Sequence, residues 1–125
     1  MRHYKELAKY ERDGFKVIVD KTYEEIHPRD CFETDDVKEI CRKIDDGTYD
    51  WFMLRVRVLV EGLELASEYL GGCCYEDAEE VLTDGTADSI VDMALDEAKK
   101  QVYKLSKKFA ALSEQVDSKT GDLFA

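Results

Sequence analysis

Proline occurs once in this chain, at Pro28, and histidine twice, at His3 and His27. With so little proline, almost every backbone N–H is free to enter a helix or a ladder, and regular structure is expected on both sides of one loop over 21–34. The cysteines, Cys31, Cys41, Cys73 and Cys74, form no CxxC, and vicinal thiols chelate a tetrahedral ion poorly. No metal and no cofactor is therefore expected. No apolar run approaches the roughly 20 residues that cross a bilayer, so no membrane association is expected. The opening MRHYKELAKYERDG lacks the apolar centre of a signal peptide. The expectation is a cytoplasmic protein with reduced thiols, Cys41 and one of the vicinal pair being small buried residues. Walker A, GxGxxG, HExxH and nucleophile-elbow patterns are missing as well. Cys73 and Cys74 follow Gly71-Gly72, yet a cysteine nucleophile needs a base, and nothing in the sequence brings a histidine to them. The expectation is a protein with no catalytic residues, whose glycines turn the chain sharply out of a sheet and allow close approach.

Positive charge is also scarce. Lysine and arginine number 18 against 29 acidic residues, a net charge of -11. Binding to a long nucleic acid rests on cationic neutralisation of phosphates and is not expected here. A small nucleotide in a locally basic pocket remains compatible, and so does an acidic face offered to a basic partner. The 125 residues suit one domain with one core, placed at 1–116, with 117–125 as a loose tail.

What the chain does have is the stretch WFMLRVRVLVEGLELASEYLGGCCY, Trp51 to Tyr75. It reads as two strands joined at Glu61-Gly62, since glycine supplies the positive φ of a two-residue hairpin. A regular register sets Val60 against Leu63, Val58 against Leu65, Val56 against Ser67 and Leu54 against Tyr69 on an apolar face. The other face then pairs Arg57 with Ala66, Arg55 with Glu68 and Leu59 with Glu64. Arg55 and Arg57 stand together there, either paired with Glu64 and Glu68 across the hairpin or waiting for an anion such as phosphate.

Upstream, Phe15 to Val19 is a strand by its aromatic and β-branched content. Tyr4, Leu7 and Tyr10 fit a helical spacing, but Asp13-Gly14 also fits a hairpin turn, and a strand or extended arm pairing with Phe15–Val19 is the preferred reading. Thr34 or Asp35 can cap a short helix over 36–44 that buries Val37, Ile40, Cys41 and Ile44. A second short helix is expected over 76–82. A long one follows from about Ala87 to Ser113, with Val91, Leu95, Ala98, Val102, Leu105, Phe109, Leu112 and Val116 in a sustained heptad stripe. Its first half is acidic and its second basic, matching the helix dipole. At 1.5 Å per residue such a helix is ~40 Å long, more than a small sheet covers, which favours a homodimer or higher homo-oligomer. The fold class is α+β: an N-terminal antiparallel sheet with a short helix, then a short helix and a long amphipathic one.

Aromatic residues gather at the sheet ends, and with the arginines they suit a nucleotide whose base stacks and whose phosphates meet guanidinium. The candidate ligand-binding residues are Trp51, Phe52, Arg55, Arg57, Tyr69, Tyr75 and Lys107, the last reaching in across a dimer interface. Each also has a structural explanation, as core-edge ring, cross-strand ion pair or solvated helix face.

The segments KYERDGF, DVKEICRKIDDGTYDWF and SEYLGGCCYED, with the helix that follows, resemble the Thoeris anti-defence sponge family of phages, the first type described. The resemblance runs from about Tyr10 to Leu112, and the YLGGCCY box is its most specific part. It implies an N-terminal antiparallel sheet followed by helices, and assembly into dimers or larger oligomers. It further implies binding, without cleavage, of glycocyclic ADP-ribose made by TIR-domain proteins, so that the defence effector is not activated. Some relatives also hold cyclic oligonucleotides at a separate site. The acidic balance departs from an ideal phosphate binder and requires the pocket cations to overcome the global field. The competing expectation is a small acidic phage protein that blocks a host defence enzyme or nuclease through Glu76–Glu80 and the acidic start of the long helix.

Overall fold

The computed structural model describes residues 3–30 and 36–124, with 116–124 as helical backbone. Strands β1 (Lys5–Arg12), β2 (Phe15–Tyr23), β3 (Asp50–Val60) and β4 (Leu63–Tyr75) form an antiparallel meander in the order β1-β2-β3-β4. Helix α1 (Val37–Asp45) separates β2 from β3, and helix α2 (Thr86–Phe124) closes the chain. Two 3-10 turns, Pro28–Asp30 and Ala78–Leu82, complete an α+β fold.

Both hairpins follow from their turn residues. Asp13-Gly14 has φ of 55° and 85°, and Glu61-Gly62 has 49° and 80°. Two successive positive φ values make a primed turn whose twist matches that of the strands it joins. The N-terminal run is therefore a strand, and its helix-like spacing of apolar residues is overridden by pairing with β2.

One face of the sheet is apolar and carries the core. Val17 and Val19 of β2, Phe52, Leu54, Val56 and Val58 of β3, and Ala66 and Cys73 of β4 pack there. Val91, Ala94, Leu95 and Ala98 of α2 cover them. The side chains alternate because a strand sends successive residues to opposite faces, so the same strands leave a second face uncovered by α2.

The hairpin register departs from the regular one. Leu59 pairs with Glu64 but Val58 pairs with Ala66, so Leu65 is an extra residue in β4. The bulge moves every later partner by one: Arg57 lies opposite Ser67, Arg55 opposite Tyr69, and Glu68 opposite Val56. A second irregularity falls at Gly71-Gly72, between the Leu54–Leu70 and Phe52–Cys73 pairs. The glycines thus bulge the strand, which continues to Tyr75, instead of turning it out of the sheet.

Two further expectations change. In α1 none of the residues is buried, and Val37, Ile40, Cys41 and Ile44 are half-buried, because the helix sits at the sheet end rather than on it. The expected caps Thr34 and Asp35 lie outside the described residues, and Asp36 occupies the cap position without a side-chain bond. In α2 the helix runs on to Phe124, past the expected end near Ser113 and through most of the segment expected as a tail. Among the residues of α2 whose burial is described, up to Gln115, Ala98 is the last buried one. Beyond it, Val102, Tyr103, Phe109 and Leu112 are 41%, 61%, 58% and 44% exposed. Arg12–Asp92 and Lys99–Asp13, both 2.9 Å, fix the helix to the β1–β2 turn just before it leaves the sheet.

Candidate functional site: two arginines on one buried carboxylate

The uncovered sheet face holds a charged cluster at its centre. Asp20 of β2 lies opposite Arg55 of β3 in the ladder and is 2% exposed. Arg55 donates to it twice, Nε to Oδ1 at 2.8 Å and Nη2 to Oδ2 at 2.6 Å. Arg57 reaches the same Oδ2 with Nη2 at 3.5 Å. The bidentate fork is the strong form of this pair, and its hydrogen bonds raise the Arg55 guanidinium above its ordinary pKa against the opposing effect of burial. Arg57 is less fully engaged, and its buried Nε has no acceptor among the described residues.

Two aromatic rings frame the cluster. Tyr4 lies over Arg55, with the guanidinium carbon 3.4 Å from the ring centroid. The segment bearing it is held by Thr22, whose hydroxyl donates to the His3 carbonyl at 2.7 Å. Tyr69, opposite Arg55 on β4, is 52% exposed. The expected cross-strand partners Glu64 and Glu68 give way to Asp20, because the bulge at Leu65 turns Glu68 to the side of Val56.

The other candidate residues lie elsewhere. Trp51 is buried at the end of β3 and donates its indole N–H to the Ile26 carbonyl at 2.9 Å. Phe52 is on the α2 face, its ring 6.0 Å from that of Tyr75. The Tyr75 hydroxyl donates to Asp84 at 2.6 Å and lies 2.9 Å from the Thr86 hydroxyl, which ties β4 to the start of α2. Lys107 sits on the projecting part of α2 with its ammonium 4.6 Å from the Tyr103 ring centroid. Within one chain, the structure brings together Arg55, Arg57 and Tyr69 and leaves Phe52, Tyr75 and Lys107 away from them. A single pocket containing all of these residues is therefore not what the chain forms.

Asp20, Tyr4 and Glu24 were not among the sequence candidates. Asp20 follows the apolar run FKVIV within β2, but its burial opposite Arg55 depends on the β2–β3 register, which no local pattern encodes. Glu24 is 5% exposed and accepts from the Gly72 N–H at 2.8 Å and the Ile26 N–H at 3.1 Å. A Cβ at Gly71 would stand 2.7 Å from the Glu24 Oε2, so the group that approaches these glycines is a carboxylate of the chain itself.

A groove of about 730 Å³ opens beside this end of the sheet, lined by Tyr23, Ile26, Tyr49 and Trp51 among others. The vicinal cysteines are not poised for chemistry. Burial pushes the Cys73 thiol up to about 11, and burial also raises Cys74. A thiol with so high a pKa stays protonated at neutral pH and is a weak nucleophile.

Comparison with protein-family models, with curated proteins and with solved structures finds no match for the chain. Among the described residues no helix is long and apolar enough to cross a membrane.

Proposed function

We propose that this protein binds a small anionic ligand with a stacking ring, of the cyclic ADP-ribose class, on the open sheet face and holds it without cleaving it. The observation that carries the reading is the imbalance at Asp20, where two guanidinium groups share one carboxylate. A positive charge is left over in a partly buried place, beside the exposed ring of Tyr69. A phosphate meets the unused donors of Arg57 there, while Arg55, fixed by Asp20, holds the pair in position. The base stacks on Tyr69.

By this reading the chain works by occupancy, in the cytoplasm of the infected cell. It removes glycocyclic ADP-ribose made by TIR-domain proteins, and the Thoeris effector is not switched on. The test is calorimetric titration of the protein with glycocyclic ADP-ribose, followed by heating and analysis of the released ligand. Tight binding with intact ligand supports the reading. Altered ligand makes the protein an enzyme, and failure to bind at micromolar concentration removes the proposal.

A second reading has its own observation. Glu76, Asp77, Glu79 and Glu80 are exposed and continue into Asp84 and Asp88 at the start of α2. This surface suits a basic site on a host nuclease or defence enzyme. Charge reversal along Glu76–Glu80 abolishes activity under this reading and leaves ligand binding intact under the first.

A further inference from the structure

The groove of about 730 Å³ at the end of the sheet has walls of one charge sign. Glu24 and Glu25 reach it from the segment after β2, Asp45 from the last residue of α1 and Asp50 from the first of β3. No lysine or arginine is among its described lining residues. Two lysines next to it are already engaged. Lys21 pairs with Asp50, and the Lys43 ammonium stands 3.5 Å from the Tyr49 hydroxyl and 5.2 Å from the centroid of that ring.

Glu24 is the group least accounted for by the chain itself. It is 5% exposed, and its two oxygens accept from the Ile26 and Gly72 N–H groups. Among the described residues no cationic side chain is within ion-pair distance of it. A carboxylate buried this far is stable when a counter-charge faces it. The C-terminal end of α1 adds to the negative field, since Ile44, Asp45 and Gly47 line the groove at the negative pole of the helix.

Two further observations say what kind of cation fits. Trp51, Tyr49 and Tyr23 line the same groove. Rings beside carboxylates attract an organic cation, through the negative face of the π system and through apolar contact with its carbon chain. The acidic groups, by contrast, do not converge on a point: among the described residues no three His, Cys, Asp or Glu side chains are placed to hold a metal ion. A single bare ion cannot meet carboxylates that arrive from three segments. A flexible chain with ammonium groups separated by methylenes meets them one after another.

We infer that this groove binds a linear polyamine, its ammonium groups on Glu24, Glu25 and Asp45 and its methylenes against Trp51 and Tyr49. The volume is within the range of small-molecule sites, about 300–1,000 Å³. A lysine of a partner protein would bring one ammonium to carboxylates from three segments, so several ammonium groups on one molecule match better. The site is separate from the arginine cluster and does not rest on the ligand proposed there.

Trp51 is the chain's one tryptophan, so its fluorescence reports on the groove directly. The experiment is titration of the full chain with spermidine at about 0.15 M salt, where the Debye length of about 8 Å screens diffuse attraction to an acidic protein. A saturable change in Trp51 emission is expected. Glu25→Gln with Asp45→Asn should weaken it about tenfold, the scale of two charge-assisted contacts at a partly exposed site. Asp96→Asn with Glu114→Gln removes as much charge from exposed positions on α2 and should leave the affinity unchanged. Butylamine, with one ammonium, should bind about tenfold more weakly than spermidine. No saturable change, or equal weakening by the two double variants, overturns the site. Butylamine or magnesium ion matching spermidine overturns the polyamine class. Displacement of spermidine by ADP-ribose in the Trp51 signal overturns the charge assignment, since it would place an anion in the groove.

Discussion

Asp20 and Arg55 face each other across the β2–β3 ladder and close two hydrogen bonds, of 2.8 and 2.6 Å, where the carboxylate is 2% exposed. In such a place the charges are stable only as a pair. Removing one partner leaves the other desolvated, which typically costs about 3–5 kcal/mol. Asp20→Asn keeps the shape and removes the charge, leaving Arg55 and Arg57 beside each other with no anion. The expected result is a loss of a few kcal/mol in urea unfolding, with the slope of the transition unchanged. An Asp20→Asn protein as stable as the parent would show that the pair contributes nothing to the fold.

A second outcome concerns the close approach of Glu24 to the β4 bulge. Gly71→Ala places a methyl 2.7 Å from the Glu24 carboxylate, which is pinned by two backbone N–H groups. The carboxylate must move, leaving the half-buried Gly72 N–H without its acceptor, at about 1 kcal/mol. Glu24→Ala removes the same bond by itself. The double variant should therefore be less destabilised than the two single losses added together, because both act on one contact. Strict additivity in thermal unfolding would place the cost of Gly71→Ala elsewhere.

These two contacts mark the limit of what the chain shows on inspection. The hairpin turns at Asp13-Gly14 and Glu61-Gly62, the apolar alternation of Phe15–Val19 and the heptads of α2 are local patterns, and each appears where it is expected. The ladder register is not local. One extra residue, Leu65, separates the regular hairpin from the observed one and exchanges Glu68 for Tyr69 as the neighbour of Arg55. The burial of Asp20 needs two strands that are 35 residues apart in sequence at Arg55 to come into register. Phe52 and Tyr75 lie at strand ends, which in sequence suggests a place near Arg55, yet alternation sends Phe52 to the opposite face.

The pH dependence has a definite sign on the alkaline side. Burial raises the Cys73 thiol from an ordinary value near 9 to about 11. The native state therefore keeps its proton while the unfolded chain loses it. The resulting contribution is fully present below about pH 9 and is lost as pH rises towards 11. Tyr75 acts in the same direction, raised chiefly by its hydrogen bond to Asp84, and so does Tyr10, raised chiefly by burial. Chemical denaturation between pH 8 and about 11 should show falling stability, and Cys73→Ala should flatten the lower part of that fall. A Cys73→Ala profile parallel to the parent's would assign the alkaline loss to Cys74 and the tyrosines.

The last outcome separates the roles of the two arginines, which the strand presents side by side but the structure uses differently. Arg55 is 14% exposed at its side chain and committed to Asp20 by a bidentate fork. Arg57 is 28% exposed, holds Asp20 at 3.5 Å and keeps donors in reserve. If the open face binds a phosphate-bearing ligand, Arg57→Gln should weaken binding by ~10-fold or more, the scale of a charge-assisted hydrogen bond of about 1.5–3 kcal/mol. Its unfolding midpoint should change little, because Arg55 still neutralises Asp20. Arg55→Gln should lower both: it costs stability by removing the fork on Asp20, and it weakens binding by letting Arg57 swing onto Asp20. Tyr69→Ala should weaken binding without a loss of stability, since the ring is 52% exposed. Calorimetric titration and urea unfolding on the same three variants read both properties. Equal losses of stability in Arg55→Gln and Arg57→Gln, with ligand affinity unmoved, would make the cluster a structural ion network and shift the search for a binding site to the groove beside Trp51.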